Sequence, residues 1–243
     1  MTYSLFTRVM AEMIGTAFLV VLGNGAVADV ELKGTKGFHG GWILIGIGYG
    51  CGVMIPAMMF ANISGNHINP ALTIALAVNG MFPWNEVLPY LAAQMIGAVI
   101  GQLIVVWSYR PYYDLSTNTE SILGTFSTID AAHSYRDGFI NEFVGTFILI
   151  FGALGMTHNM AFQSNIGLAN FTIGLLVMTL VISMGGATGP ALNPARDLGP
   201  RLVHALYPLK TKGDSHWDYS WVPVVAPIAG GIAAVYLYKL LFL

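Results

Sequence analysis

The chain has 243 residues, of which 55% are hydrophobic and only 9% are charged, and its net charge is -2. Soluble domains carry about 25% charged residues, so this composition excludes an ordinary soluble domain and predicts a protein embedded in lipid. The small net charge offers no basic surface for nucleic acid. The single cysteine, Cys51, has no second cysteine with which to form an internal disulfide.

Six segments are apolar and long enough to cross a bilayer, since each is close to the ~20 residues that a spanning helix needs. They are predicted at about residues 6–30, 41–61, 87–108, 138–157, 167–185 and 220–241. The first of them is too long for the apolar region of a signal peptide, so we interpret it as a retained span. Glycines four residues apart in the second and third segments predict close packing between helices.

A three-residue motif occurs twice in the chain, as Asn69, Pro70 and Ala71 and as Asn193, Pro194 and Ala195. Asn favours the N-cap of a helix and Pro favours the first helical position, so both copies predict the start of a helix. The first of these helices runs for only about ten residues before an Asn-Gly pair, which is roughly 15 Å or half a bilayer. Two half-length helices with their positive N-terminal ends inside the membrane are typical of a pore or a transport site.

The two halves of the chain share the same order of features. Glu12 begins a Glu-Met-Ile-Gly-Thr segment that matches Glu-Phe-Val-Gly-Thr at Glu142, and one Asn-Pro-Ala motif follows in each half. Each half contains three spans and one half-helix, and this odd number of crossings makes the second half enter the membrane from the opposite side. The sequence therefore predicts an all-α membrane protein with six transmembrane helices and two half-helices in an inverted repeat. We expect one channel domain over residues 1–243, with repeats at about 1–110 and 136–243.

Few charged residues lie inside the predicted spans and half-helices, and each is a candidate for function because a charge in lipid is costly. We interpret Glu12 and Glu142 as structural acceptors for the non-helical backbone that leads into each half-helix, with a proton relay as the alternative. Arg196 lies three residues after Asn193 and is expected to project into a pore, where its fixed charge repels cations and protons. The alternative, an ion pair with Asp197, is poor because adjacent helical residues do not face each other.

The remaining polar groups of the predicted pore are amides and backbone carbonyls. The Asn69 and Asn193 oxygens are expected to cap the half-helices, which leaves their NH2 groups free to donate to a solute. Residues 62–68 and 185–192 are expected to be extended, with their carbonyls lining a water-filled cavity. The resulting ladder of acceptors is formed by Gly65, Asn66, His67, Gly189 and Ala191. Such a lumen suits small, neutral, hydroxyl-bearing solutes, and no cofactor is expected.

His67 is the histidine nearest to the first motif. No second His, Cys or carboxylate stands at ligand spacing from it, so we expect His67 to hold a loop and not a metal ion.

With these residues assembled, the chain resembles the major intrinsic protein family, the aquaporins and glycerol facilitators, over essentially its whole length. The resemblance rests on Ser-Gly-Asn-His-Ile-Asn-Pro-Ala at residues 64–71 and Gly-Pro-Ala-Leu-Asn-Pro-Ala-Arg-Asp at residues 189–197. It implies a pore in every subunit, a homotetramer in a lipid bilayer, the plasma membrane of a bacterium, and a cytoplasmic N-terminus. The count of Lys and Arg in the loops alone would place the N-terminus outside. We adopt the implied orientation because an inverted repeat fixes its topology through its whole packing.

Residues after the second motif resemble the glycerol-conducting branch of the family. That branch carries an acidic and then a basic residue where this chain has Asp197 and Arg201, and Pro223 also fits it. The resemblance places a selectivity filter at four positions, which are Tyr49, Val181, Pro190 and Arg196. Typical glycerol facilitators have two aromatic residues there and a glycine in place of the valine. Here one aromatic residue remains, and proline replaces the other.

The expected function is a passive channel for glycerol and other small uncharged solutes that also conducts water and excludes ions and protons. The altered filter makes dihydroxyacetone, urea, hydrogen peroxide and protonated lactic acid further candidates, and a channel mainly for water or small neutral acids is an alternative. A secondary transporter with broken helices is the rival class, but the midplane offers two amides and no ion-coordinating cluster. No motif of a hydrolase or metalloprotease supports an intramembrane enzyme.

Overall fold

The computed structural model of the protein describes residues 3–159 and 164–243, and it is helical without strands within those ranges. The helices are α1 (Leu5–Glu31), α2 (Trp42–Ser64), α3 (Pro70–Val78), α4 (Trp84–Leu115), α5 (Thr119–Gly124), α6 (Tyr135–His158), α7 (Ile166–Thr188), α8 (Pro194–Leu206) and α9 (Val222–Phe242). Six of them, α1, α2, α4, α6, α7 and α9, are long and apolar enough to cross a membrane. The prediction of six spanning segments is therefore confirmed.

Helix α4 is longer than predicted, and the short helix α5 was not predicted. The apolar run of α4 ends near residue 108, but the helix continues to Leu115 and carries an Arg110–Asp114 ion pair of 2.6 Å in its last turns. Helix α5 begins where Asn118 Oδ1 accepts hydrogen bonds from the backbone N–H groups of Glu120 and Ser121. Hydropathy detects the part of a helix that lies in lipid, and it does not detect the polar turns beyond it.

The inverted repeat is visible in the packing of the helices. In the first half α1 packs against α2 and α4, and in the second half α6 packs against α7 and α9, while α2 and α7 join the two halves. Each half-helix also lies against the last spanning helix of the other half, α3 against α9 and α8 against α4. The fold is therefore six spanning helices and two half-helices in an inverted repeat, as predicted.

The glycine pairs in the spans allow these helices to approach closely. An added Cβ at Gly97 would lie 2.1 Å from the carbonyl oxygen of Met13 in α1, and one at Gly101 would lie 2.6 Å from that of Ala17. Both distances are far below van der Waals contact, so only glycine permits α4 to lie this close to α1. The expected packing role of these glycines is confirmed.

The segments that lead into the half-helices are shorter than predicted. Residues 62–64 belong to α2 and residues 185–188 to α7, so the extended segments expected at 62–68 and 185–192 were wrong at their N-terminal ends. Gly65 and Gly189 end the helices in the left-handed conformation, with φ of 88° and 72°. In lipid a helix satisfies its own backbone, so it continues until a residue that tolerates positive φ can terminate it.

Candidate functional site

The N-terminal ends of both half-helices lie in one central cavity, and each is capped by the asparagine of its motif. Asn69 Oδ1 accepts a hydrogen bond from the backbone N–H of Ala71 at 2.9 Å, and Asn193 Oδ1 accepts one from Ala195 at 3.0 Å. Both asparagines are extended, and a proline at the first helical position follows each of them. The residues thus form the helix starts that N-cap and proline preferences predict.

The two asparagine amides also join the two halves of the chain. Asn69 Nδ2 donates to the carbonyl of Leu192 at 2.8 Å, and Asn193 Nδ2 donates to the carbonyl of Ile68 at 2.7 Å. The expectation that both NH2 groups are free was therefore wrong for one hydrogen of each amide. The half-helices meet so closely that each amide satisfies a buried carbonyl of the opposite loop, and the second N–H of each amide has no partner among the described residues.

Glu12 is fully buried beneath the first loop, and both of its carboxylate oxygens accept hydrogen bonds. Oε1 accepts from the Ser64 hydroxyl at 2.6 Å and from the backbone N–H of His67 at 2.8 Å. Oε2 accepts from the backbone N–H of Ile68 at 2.6 Å and from Gln94 Nε2 at 2.8 Å. These four donors include two backbone groups that have no helical partner, which is the arrangement expected of a structural acceptor.

Glu142 is equally buried beneath the second loop but has three donors. Oε1 accepts from the Thr188 hydroxyl and the backbone N–H of Ala191, both at 2.9 Å, and Oε2 accepts from the backbone N–H of Leu192 at 2.8 Å. The two carboxylates therefore hold equivalent backbone groups in the two halves of the chain.

His67 is buried at the base of the first loop, where Nδ1 lies 3.0 Å from the Thr73 hydroxyl and the ring packs against Phe82 and Tyr90. No group of three or more potential metal ligands occurs in the part of the chain that the structure describes. Its contacts are those of a residue that fastens a loop.

Two cavities meet beside Arg196. The central cavity, about 350 Å³, contains both asparagine caps, and the vestibule, about 370 Å³, lies between α5, the segment after it and the end of α7. Three residues, Tyr49, Val181 and Arg196, line both cavities and so form the junction between them. The fourth expected filter residue, Pro190, lines the central cavity only.

The central cavity has one polar wall and one apolar wall. The apolar side chains come from α2, α6 and α7 and include Val53, Ala57, Leu149, Ala153, Ile173 and Val177. On the polar wall lie the residues expected to form the acceptor ladder, Gly65, Asn66, His67 and Ala191, while Gly189 lines the vestibule. The carbonyl oxygens of these five residues accept no hydrogen bond from any residue that the structure describes. None of these oxygens is therefore occupied by another group that the structure describes.

Arg196 is 3% exposed and is held on one side of the junction. Its Nη1 donates to the carbonyl of Phe126 at 2.9 Å, and its Nη2 donates to the Tyr49 hydroxyl. The guanidinium carbon lies 5.0 Å from the centre of the Tyr49 ring. Two of the five N–H groups of the guanidinium are thus used, and the buried Nε makes no hydrogen bond to any described residue.

Asp197 does not pair with Arg196. Its Oδ1 accepts from Arg201 Nε at 2.8 Å, and its Oδ2 accepts from the backbone N–H of Thr128, also at 2.8 Å. Arg201 also donates to the carbonyl of Ser215 at 2.6 Å. The acidic and basic residues after the second motif therefore form a buried ion pair that fastens two loops to α8.

Sequence reasoning missed a buried amide cluster behind the junction. Asn24 Oδ1 accepts from the Tyr49 hydroxyl, and Asn24 Nδ2 donates to Gln102 Oε1 at 2.6 Å and to the Phe126 carbonyl at 3.0 Å. The cost of charge in lipid singles out charged residues inside the spans, and this cluster has none. Uncharged amides in otherwise apolar spans are the signal that points to this cluster.

Comparisons with known proteins agree with this fold. The family described as Major intrinsic protein matches residues 1–238. Glycerol uptake facilitator protein-like 5 of Lactiplantibacillus plantarum is 56% identical over 100% of this chain and 99% of its own length. Glycerol facilitator-aquaporin gla of Lactococcus lactis subsp. cremoris is 44% identical over 97% of this chain and 98% of its own.

A solved structure, the aquaglyceroporin from Plasmodium falciparum, superposes with a TM-score of 0.87 at 30% identity, and the match covers 98% of this chain and 97% of that one. This fold is that of a channel and not of an enzyme. The six apolar spans and the bacterial relatives indicate the plasma membrane as its location. Because the family matches nearly the whole length of the chain, the chain belongs to the major intrinsic protein family.

Proposed function

We propose that this protein is a passive channel that conducts glycerol and other small uncharged solutes, with water among them, and excludes ions and protons. One observation carries the proposal. The central cavity and the vestibule meet at Tyr49, Val181 and Arg196, and the path past them has unused backbone acceptors on one wall and apolar side chains on the other. A polyol has hydroxyl groups on one edge and C–H groups on the other, so it matches both walls. The names of the bacterial relatives support glycerol as the main solute.

The selectivity filter in this proposal consists of the junction residues together with Pro190. Arg196 offers the remaining hydrogens of Nη1 and Nη2 to a solute oxygen, and the carbonyls of the ladder then accept from solute hydroxyls. Pro190 contributes a carbonyl and no backbone donor. The free N–H of each motif asparagine continues the line of donors at the midplane.

Exclusion of charge follows from the electrostatics of the same path. The half-helices direct their positive N-terminal ends toward the midplane, each equivalent to roughly half an elementary charge. Arg196 adds a full positive charge at the junction. A cation or hydrated proton would have to pass these charges after leaving bulk water, whereas a neutral solute exchanges water for the hydrogen bonds of the wall.

The proposal extends to how the chain is arranged and assembled in the bilayer. The chain forms one channel domain over residues 1–243, with repeats at about 1–110 and 136–243, a cytoplasmic N-terminus and a homotetramer in the bilayer. Large apolar side chains on the outer faces of the spans, such as Ile43, Leu88 and Tyr236, are exposed in the single chain, which suits contact with lipid and with neighbouring subunits.

Stopped-flow light scattering on proteoliposomes tests the function. Water and glycerol permeability are compared with protein-free vesicles, and lactic acid is then tested at pH values below and above its pKa. We expect fast glycerol entry and no entry of lactate anion. Glycerol entry no faster than in protein-free vesicles would overturn the proposal for glycerol, and fast entry of protonated acid with slow glycerol would favour the channel for neutral acids.

A further inference from the structure

The ring of Tyr49 lies directly on the backbone of helix α1. An added Cβ at Gly23 would lie 2.2 Å from one ring carbon of Tyr49 and 2.3 Å from a second. Real Cβ contacts are essentially never this short, so the ring occupies the space that any other side chain at position 23 would fill. The glycine therefore allows the ring to sit back from the junction.

The next residue along α1 holds the same side chain at its other end. The Tyr49 hydroxyl donates to Asn24 Oδ1, and the Asn24 amide is itself fixed by its bonds to Gln102 and to the Phe126 carbonyl. Asn24 is completely buried and lines neither cavity. With its hydrogen donated to Asn24, the Tyr49 hydroxyl can only accept, and it accepts from Arg196.

We propose that Gly23 and Asn24 form a seat for the Tyr49 side chain, and that this seat sets the width of the junction and hence the largest polyol that passes. The two residues are positioning residues, because they act on the solute only through Tyr49. This inference rests on the proposed conduction of glycerol and deepens it. It assigns the selection of solutes by size to helix α1, which contributes no side chain of its own to the filter.

The position of the Tyr49 ring on Gly23 also explains how the filter can admit a polyol although Val181 stands opposite that ring. Val181 lines the junction together with Tyr49 and Arg196, and it narrows the passage compared with glycine. Because the Tyr49 ring lies against Gly23, it restores part of the width that Val181 takes from the passage. The bond to Asn24 also keeps the hydroxyl of Tyr49 turned away from the solute path, so the acceptors that a solute meets are the backbone carbonyls.

The first test substitutes Gly23→Ala and measures glycerol and water permeability of purified protein in liposomes. The ring must move by roughly 1.2 Å or more to restore ordinary van der Waals contact, and the free direction is into the junction. We expect glycerol permeability to fall about tenfold, which corresponds to a barrier raised by ~1.4 kcal/mol, while water permeability falls less than about threefold. An unchanged ratio of glycerol to water permeability would overturn the proposal.

Gly25→Ala is the matched control on the same helix, because an added Cβ at position 25 meets no atom within 4 Å. It should leave both permeabilities unchanged. In a Tyr49→Val background, where no ring occupies the seat, Gly23→Ala should also leave the permeability ratio unchanged. A loss of glycerol conduction that persists in this background would show that Gly23 acts on helix packing and not through Tyr49.

Asn24→Leu tests the other half of the seat independently. It removes the acceptor of the Tyr49 hydroxyl while keeping a side chain of similar size, and Tyr49→Phe removes the hydroxyl itself. Both single variants should change the ratio of glycerol to water permeability in the same direction, and the double variant should change it no further than either one. Additive effects would overturn the role of Asn24. Failure of the proposed function is distinct, since the unmodified protein would then conduct no glycerol.

Discussion

The loops that lead into the two half-helices, residues 65–69 and 189–193, share a scaffold and differ in their chemistry. Each is tied to a buried glutamate and capped by asparagine. Beyond that, the first loop has His67 where the second has Ala191, and Leu72 occupies the position of Arg196. The positions needed to hold the backbone are thus repeated in the two halves, while the charge at the junction of the two cavities stands in only one of them.

The side chains beside the two half-helices make different contacts in the two halves. His67 contacts Thr73, and Gln94 donates both to Thr73 and to Glu12. At the position equivalent to Thr73, Asp197 instead binds Arg201. An internal repeat can therefore keep one backbone plan while its two copies carry different side-chain chemistry.

The largest expected difference between the halves concerns stability. Glutamine offers one acceptor oxygen in place of two, so Glu12→Gln leaves two donors facing an NH2 group, whereas Glu142→Gln leaves one. Each unsatisfied buried donor costs ~1–3 kcal/mol, so we expect a loss of roughly 2–6 kcal/mol for Glu12→Gln and about half of that for Glu142→Gln. Thermal unfolding in detergent measures both variants. Equal losses would contradict the ranking.

The full positive charge at the junction lies in the second half only, so charge exclusion should be more sensitive to substitution in that half. Arg196→Ala removes the positive charge at the junction, and we expect cation or proton leakage to rise at least about tenfold, equivalent to ~1.4 kcal/mol. Leu72→Ala, at the equivalent position in the first half, is the matched control and should leave this leakage at its original level. Fluorescent pH and ion indicators inside proteoliposomes measure both. Unchanged exclusion in Arg196→Ala would remove this residue from the filter.

The smallest expected difference concerns the C-terminal ends of the half-helices. At each end a lysine donates to a backbone carbonyl. Lys239 Nζ donates to the carbonyl of Asn79 after α3, at 2.6 Å, and Lys212 Nζ donates to that of Ala205 in α8, at 2.7 Å. A cation at this end of a helix contributes ~0.3–1 kcal/mol, and more where it is partly buried. The Lys212 contact is partly buried and the Lys239 contact exposed.

We therefore expect Lys212→Met to lower the thermal unfolding midpoint slightly more than Lys239→Met. High salt should shrink the effect of Lys239→Met, because exposed charges are screened. A salt-independent loss for Lys239→Met would mean that its side chain acts through packing.

The sequence by itself determined the six spans, the two helix starts at the Asn-Pro-Ala motifs, the inverted order of the repeats and the buried glutamates. These features follow from local rules: length against bilayer thickness, helix capping and the cost of charge in lipid. The resemblance to the family further supplied the four filter positions. The ends of α2 and α7 did not follow from these rules, because the polar and small residues before Gly65 and Gly189 can be either helical or extended.

Only the tertiary structure decided which groups meet. Asn69 reaches the Leu192 carbonyl across 123 positions of the chain, and Asn24 reaches the Phe126 carbonyl across 102, so no local pattern encodes either pair. The expectation that the Asn69 and Asn193 amides are free was wrong because a buried carbonyl from a distant loop takes one N–H of each amide. The seat of Tyr49 on Gly23 likewise depends on how closely α1 and α2 pack, and that distance is fixed by the whole bundle.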